Sequence, residues 1–122
     1  EYCLISIEDS YFGGEIEHII SIKHGGKTEA ENLALACQPC NRNKGSDLGS
    51  INESTKLLIR FFNPRKDKWF EHFRLTEAVI EPLTEKGKVT IKILGFNDSE
   101  RIKERKGLIA IGHYPLKSSL KK

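Results

Sequence analysis

The reading of this chain turns on one stretch: Glu15-Ile16-Glu17-His18-Ile19-Ile20, His24-Gly25-Gly26, Glu31-Asn32-Leu33, then Cys37-Gln38-Pro39-Cys40-Asn41-Arg42-Asn43-Lys44-Gly45. Gly13-Gly14 marks a turn ahead of it. The alternation of Ile16, His18 and Ile20 then predicts a strand, with Glu17 on its other face. A second break falls at Gly25-Gly26 and opens a polar loop to Asn32. Residues 33–36 are short and apolar and predict a second strand. Pro39 suits a first helical turn, where its missing N–H costs nothing, and Gly45 shortens or ends that helix. The order is strand, loop, strand, helix.

Outside this stretch the signals weaken. The pattern predicts a loop over 50–56, an apolar segment over 57–62 and a break at Asn63-Pro64. Trp69 and Phe73 are expected in the core, and residues 77–83 alternate like a strand. Val89, Ile91 and Ile93 alternate as well, so pattern alone predicts a strand there. Asp98 or Ser99 can cap a helix running through Arg105. There are no internal repeats, and a lysine-flecked tail closes the chain.

The bulk numbers bound the function. A chain of 122 residues suits one compact domain. About 30% of it is charged, and the net charge of +3 permits nucleic-acid binding without demonstrating it. Arg60, Arg65, Lys66 and Lys68 interleave with Phe61, Phe62, Trp69 and Phe70. That pattern fits either a phosphate-following surface or a small core with a solvated rim. No apolar run approaches the roughly 18 residues of a membrane span, and no signal-peptide pattern opens the chain, so a cytoplasmic protein with no membrane partner is expected.

The 15–45 stretch resembles HNH endonucleases of the bacterial E/D-H-I-I … H-G-G … N-L … C-x-x-C-N-x-x-K-G kind, in order and spacing together. The run at 62–73 also resembles the downstream part of some of these proteins. The resemblance implies an α+β fold with a ββα-metal core at 1–49 and an α/β extension at 50–122, the whole forming one domain. It also favours a helix over 85–94 where the pattern favours a strand. In that fold the helix packs across the hairpin with a metal between them. Adjacent strand residues face opposite ways, so Glu17 and His18 can share a site only if the strand bends or ends there.

The chemistry implied is hydrolysis of DNA phosphodiesters, leaving 5′-phosphate and 3′-hydroxyl ends. A histidine with an ordinary pKa of about 6.5 can take a proton from water at neutral pH, which makes His18 the candidate base. A hard cation, Mg²⁺ or Mn²⁺, prefers oxygen ligands; Glu17 supplies a carboxylate and Asn41 an amide. Asn32 is expected to hold the loop and orient His18 through a backbone hydrogen bond. Lys44 and Arg42 are expected at the phosphate backbone, and His24 either approaches it or sits on the surface. His72 and His113 carry no catalytic expectation. The rival readings are a catalytically silent module that binds nucleic acid, and a zinc-knuckle interaction domain without nucleic acid. Neither needs Glu17, His18 and Asn41 together.

The three cysteines, Cys3, Cys37 and Cys40, do not form a disulfide framework, being odd in number with no secretory signal. Cys37-x-x-Cys40 has zinc-knuckle spacing, with Cys3 as third ligand to a structural Zn²⁺. Relatives that carry this site usually have a second C-x-x-C near their start. A fourth cysteine just ahead of Glu1, a histidine, a water, or no zinc at all are the alternatives. DNA form, sequence specificity and oligomeric state are not legible.

Overall fold

The computed structural model describes residues 1–115; the lysine-flecked tail lies outside them. Strand β1 (Gly14–His18) pairs antiparallel with β2 (Leu33–Cys37), Glu17 opposite Ala34 and His18 opposite Leu33. Helix α1 (Gln38–Lys44) follows β2 without a break, with Pro39 in its first turn and Gly45 turning the chain away at φ 52°. The predicted strand, loop, strand, helix order is present. The faces of β1 are the reverse of what its apolar alternation suggests, because Ile16 is 67% exposed and Glu17 only 6%. The burial of a carboxylate there has a specific cause, described below.

The loop between β1 and β2 carries two short 3-10 turns, Ile22–His24 and Ala30–Asn32. Asn32 pins it. Its Oδ1 accepts from the Ile20 amide at 2.8 Å, and its Nδ2 donates to the carbonyls of Ile20 and Lys27 at 2.8 and 2.9 Å. Gly26 closes against the same point: a Cβ there would stand 1.7 Å from the Ile20 carbonyl oxygen.

The rest of the chain wraps the hairpin and α1. Strands β3 (Gly49–Ile51) and β4 (Leu58–Arg60) form one antiparallel pair, so a short strand begins where the pattern predicts only loop. A single helical turn, α2 (Trp69–His72), leads into β5 (Phe73–Thr76), which pairs with β6 (Val79–Pro82). Helices α3 (Glu85–Leu94) and α4 (Ser99–Ala110) complete the described fold, giving a mixed α and β architecture.

Residues 85–94 are helical despite their β-like alternation. The Thr84 hydroxyl accepts from the Gly87 amide at 3.0 Å, and Gly95 ends the helix at φ 66°. These two caps satisfy orphan groups that a strand would not leave. The buried face then runs through Gly87, Thr90 and Leu94, a helical spacing. Thr90 also ties α3 to the chain after β4, its hydroxyl accepting from the Phe62 amide at 2.9 Å.

One buried cluster joins both ends of the described chain. Tyr2, Phe62, Trp69, Phe73, Phe96 and Tyr114 all belong to it. Trp69, at 2% exposure, donates from its indole to the Tyr2 carbonyl at 2.7 Å. The N-terminal segment is thereby held against the core from the first residues onward, which places Cys3 beside α1.

Candidate active-site cleft and cysteine cluster

An open cleft of about 490 Å³ lies between β1 and the second half of α1, lined by Glu15, Glu17, His18, Asn41 and Arg42 among others. Consecutive β1 residues all border it, so the cleft runs along the edge of the strand rather than over one face. The strand also ends at His18. Both facts answer the difficulty that neighbouring strand residues point apart.

His18 is half-buried, with Nε2 2.9 Å from the Thr28 hydroxyl. Its neighbour Ile19 donates its amide to the Asn32 carbonyl at 2.8 Å. Asn32 therefore fixes the backbone that carries the imidazole. Thr28 meets the ring directly, and no motif in the sequence marks it.

Glu17 is enclosed. Tyr2 donates its hydroxyl to Oε1, and the Lys44 ammonium lies 3.1 Å from Oε2. Burial, then the Glu17 carboxylate, pushes the Tyr2 phenol above its ordinary range, so it stays a donor. Lys44, expected at the phosphate, is 2% exposed. Its ammonium also donates to the carbonyls of His18 and Ile19 at 3.3 and 2.9 Å. It presents no charge to the cleft and instead binds α1 to the end of β1.

Glu15 is the cleft carboxylate that sequence reasoning passed over. It is exposed, two residues from Glu17 on the same strand, and it accepts a hydrogen bond from the Asn41 amide nitrogen. The signal was present in the Glu15-x-Glu17 spacing, which puts both on one strand face. Arg42 is exposed on the cleft wall. His24 is exposed on its 3-10 turn, outside the residues that line the cleft.

Outside the residues that line the cleft, Cys3, Cys37 and Cys40 converge with all three Sγ atoms within 4.8 Å of one another. All three are buried and unbridged. The Cys3 and Cys37 sulfurs are 3.6 Å apart, close to the edge of about 3.8 Å that a tetrahedral zinc–thiolate centre with 2.3 Å bonds would have. Leu4 adopts φ 66°, a left-handed conformation that costs a side-chain-bearing residue about 1–2 kcal/mol. It turns the Ile5 amide onto the Cys3 sulfur.

The donors and their protons are strongly linked. Hydrogen bonds from Cys37 and Cys40 hold the Cys3 thiol well below its ordinary value. Donation to Cys3 pushes Cys37 up to about 11, and burial pushes Cys40 well up. Three converging soft sulfurs suit a metal ion such as zinc.

Residues 1–47 match the HNH endonuclease family model. The HNH segment contains both the cleft and the cysteine cluster. It points to a nuclease or nucleic-acid-binding function. No curated protein and no solved structure matches the chain. Among the described residues, no helix is long and apolar enough to cross a membrane.

Proposed function

We propose that this chain is a divalent-cation-dependent endonuclease that hydrolyses DNA phosphodiester bonds, with His18 as general base. The observation that carries this reading is the cleft itself. It gathers an anchored histidine, two carboxylates, an amide and an exposed arginine along one strand edge.

In the tautomer whose Nε2–H donates to Thr28, the His18 Nδ1 carries the lone pair and accepts a proton from the attacking water. Asn32 keeps that ring in place by fixing the Ile19–Ile20 backbone. The donor set is all oxygen, as a hard cation requires. Glu17 and Asn41 would hold the ion, with Glu15 adding a second carboxylate. A carboxylate has about four lone-pair positions, so donation from Tyr2 and Lys44 leaves Glu17 acceptor capacity toward the cleft. Bound Mg²⁺ or Mn²⁺ supplies charge neutralisation at the phosphate and at the departing 3′ oxygen. Arg42 would hold the neighbouring phosphate backbone, and His24 would approach it from the exposed turn. The described core supports treating the ββα-metal segment and the extension as one domain, since a single buried cluster spans both.

A second reading rests on one observation. Lys44 already neutralises the buried Glu17, which lowers the pull on a cation and suits a silent module that binds nucleic acid. Cleavage of supercoiled plasmid with Mg²⁺, Mn²⁺ or chelator separates the two. Metal-dependent nicking that falls roughly 10²–10⁴-fold in His18→Ala is the expected result. Equal cleavage by both proteins would remove His18 as base. Salt-sensitive binding with no cleavage would favour the silent module.

A further inference from the structure

Arg101 stands where a cation should be disfavoured twice over. It is 7% exposed, and it sits in the first turn of α4, where the positive end of the helix dipole repels it. Something must offset both costs.

Its contacts show what does. One guanidinium nitrogen lies 2.9 Å from the Cys40 sulfur and 3.5 Å from that of Cys37. The other donates to the Leu94 carbonyl at 2.6 Å, and the group lies 5.8 Å from the centre of the Phe96 ring. No carboxylate is among these partners. Three neutral thiols would leave the guanidinium as a buried charge without a counter-ion, so the negative charge that balances it must sit on the sulfurs. Three thiolates around a divalent metal carry one net negative charge, which a single guanidinium balances.

We propose that Arg101 is a positioning residue of a metal–thiolate centre built on Cys3, Cys37 and Cys40, balancing its charge and locking α4 onto it. The hydrogen bonds to sulfur lower the basicity and nucleophilicity of the thiolates, so they slow both the protonation that releases metal and the attack of the sulfurs on electrophiles. The same contacts make metal loading and the docking of α4 one coupled event. The centre is thus completed by a residue 61 positions along the chain from Cys40, well outside the HNH segment. This inference does not depend on the nuclease reading, because none of its readouts involves DNA.

The test compares zinc-loaded wild type with Arg101→Met, Arg101→Lys and Arg105→Met. Arg105 lies on the same helix and is also buried, but it donates to the Ala78 carbonyl and the Asn97 side chain rather than to sulfur. It therefore reports what loosening α4 does by itself. Zinc transfer to a chromogenic chelator and mass-mapped alkylation of Cys40 in the zinc-loaded protein are the two readouts. Cobalt substitution, read by its thiolate charge-transfer band, establishes loading.

The expected result is zinc release at least about tenfold faster in Arg101→Met, the change one charge-assisted hydrogen bond supports. Cys40 alkylation should accelerate alongside it. Arg101→Lys should fall between, keeping the charge but not the planar fork. Arg105→Met should stay near wild type in both readouts. Equal rates in Arg101→Met and Arg105→Met, or no change in Arg101→Met, would overturn the proposal. So would a wild-type chain that takes up no cobalt. If Arg101→Met does not fold, the Lys variant decides: rates equal to wild type in both readouts would refute the role of the fork.

Discussion

At the scale of single residues, the decisive group is Lys44. A lysine after a C-x-x-C-N motif reads as a surface or phosphate contact, yet its ammonium is sealed inside and bound to Glu17 and two carbonyls. Removing one partner of a buried pair leaves the other charge stranded, which costs far more than the pair contributes when intact. Lys44→Met should therefore destabilise the fold by roughly 3–5 kcal/mol in urea unfolding. Glu17→Gln/Lys44→Met should recover part of that loss, since the remaining amide needs no counter-ion. A double variant no better than the single one would show that the ammonium acts through its carbonyl contacts alone.

At the scale of elements, α3 and the loop before α2 each rest on a local device. Gly87 packs so closely on the α2–β5 junction that a Cβ would stand 2.2 Å from the His72 carbonyl oxygen. Backbone cannot yield cheaply there, so Gly87→Ala should cost about 1–3 kcal/mol despite alanine's better helix propensity. A stabilised Gly87→Ala protein would mean that α3 shifts freely. In the loop at 63–67, burial alone would raise the Asp67 carboxyl. The Asn63 amide at 2.9 Å and the Lys86 ammonium at 3.0 Å outweigh it, holding it below the usual carboxylate range. A depressed native pKa means stability that is present above the unfolded value of about 3.9 and lost as pH falls through the lower native value. Asp67→Asn should be less stable than wild type by about 1–2 kcal/mol at neutral pH. The gap between their unfolding free energies should narrow only below pH 4. A gap that stays constant into strong acid would rule out the carboxylate as its source.

At the scale of the whole molecule, the cysteine cluster connects the first residues, α1 and α4. A small domain with modest apolar content gains most from such a clip, because a metal binds the folded state and not the unfolded one. Stripping metal with chelator should lower stability by roughly 3 kcal/mol or more, about 10 °C in melting temperature for a chain of this size. Calorimetry with and without zinc reads this directly. An unchanged melting temperature would mean that the core and Arg101 hold the three segments without metal. Cleavage and melting need not follow each other, since the cleft and the cluster are built from different side chains.

The sequence by itself determined the strand, loop, strand, helix order at 14–44 and the Cys37-x-x-Cys40 spacing, because these are local signals. Turns, caps and motif spacing act over a few residues and need no knowledge of what packs beyond them. Local pattern misled at 85–94, where β-branched alternation outweighed the caps at Thr84 and Gly95 until burial was known. Only the tertiary structure decided which face of β1 turns inward, because that depends on Lys44 and Tyr2 arriving from elsewhere in the chain. It alone brought Glu15 to Asn41 and Arg101 to the cysteines. Those partners are separated by 26 residues or more. A buried charge declares itself only when the fold shows what neutralises it.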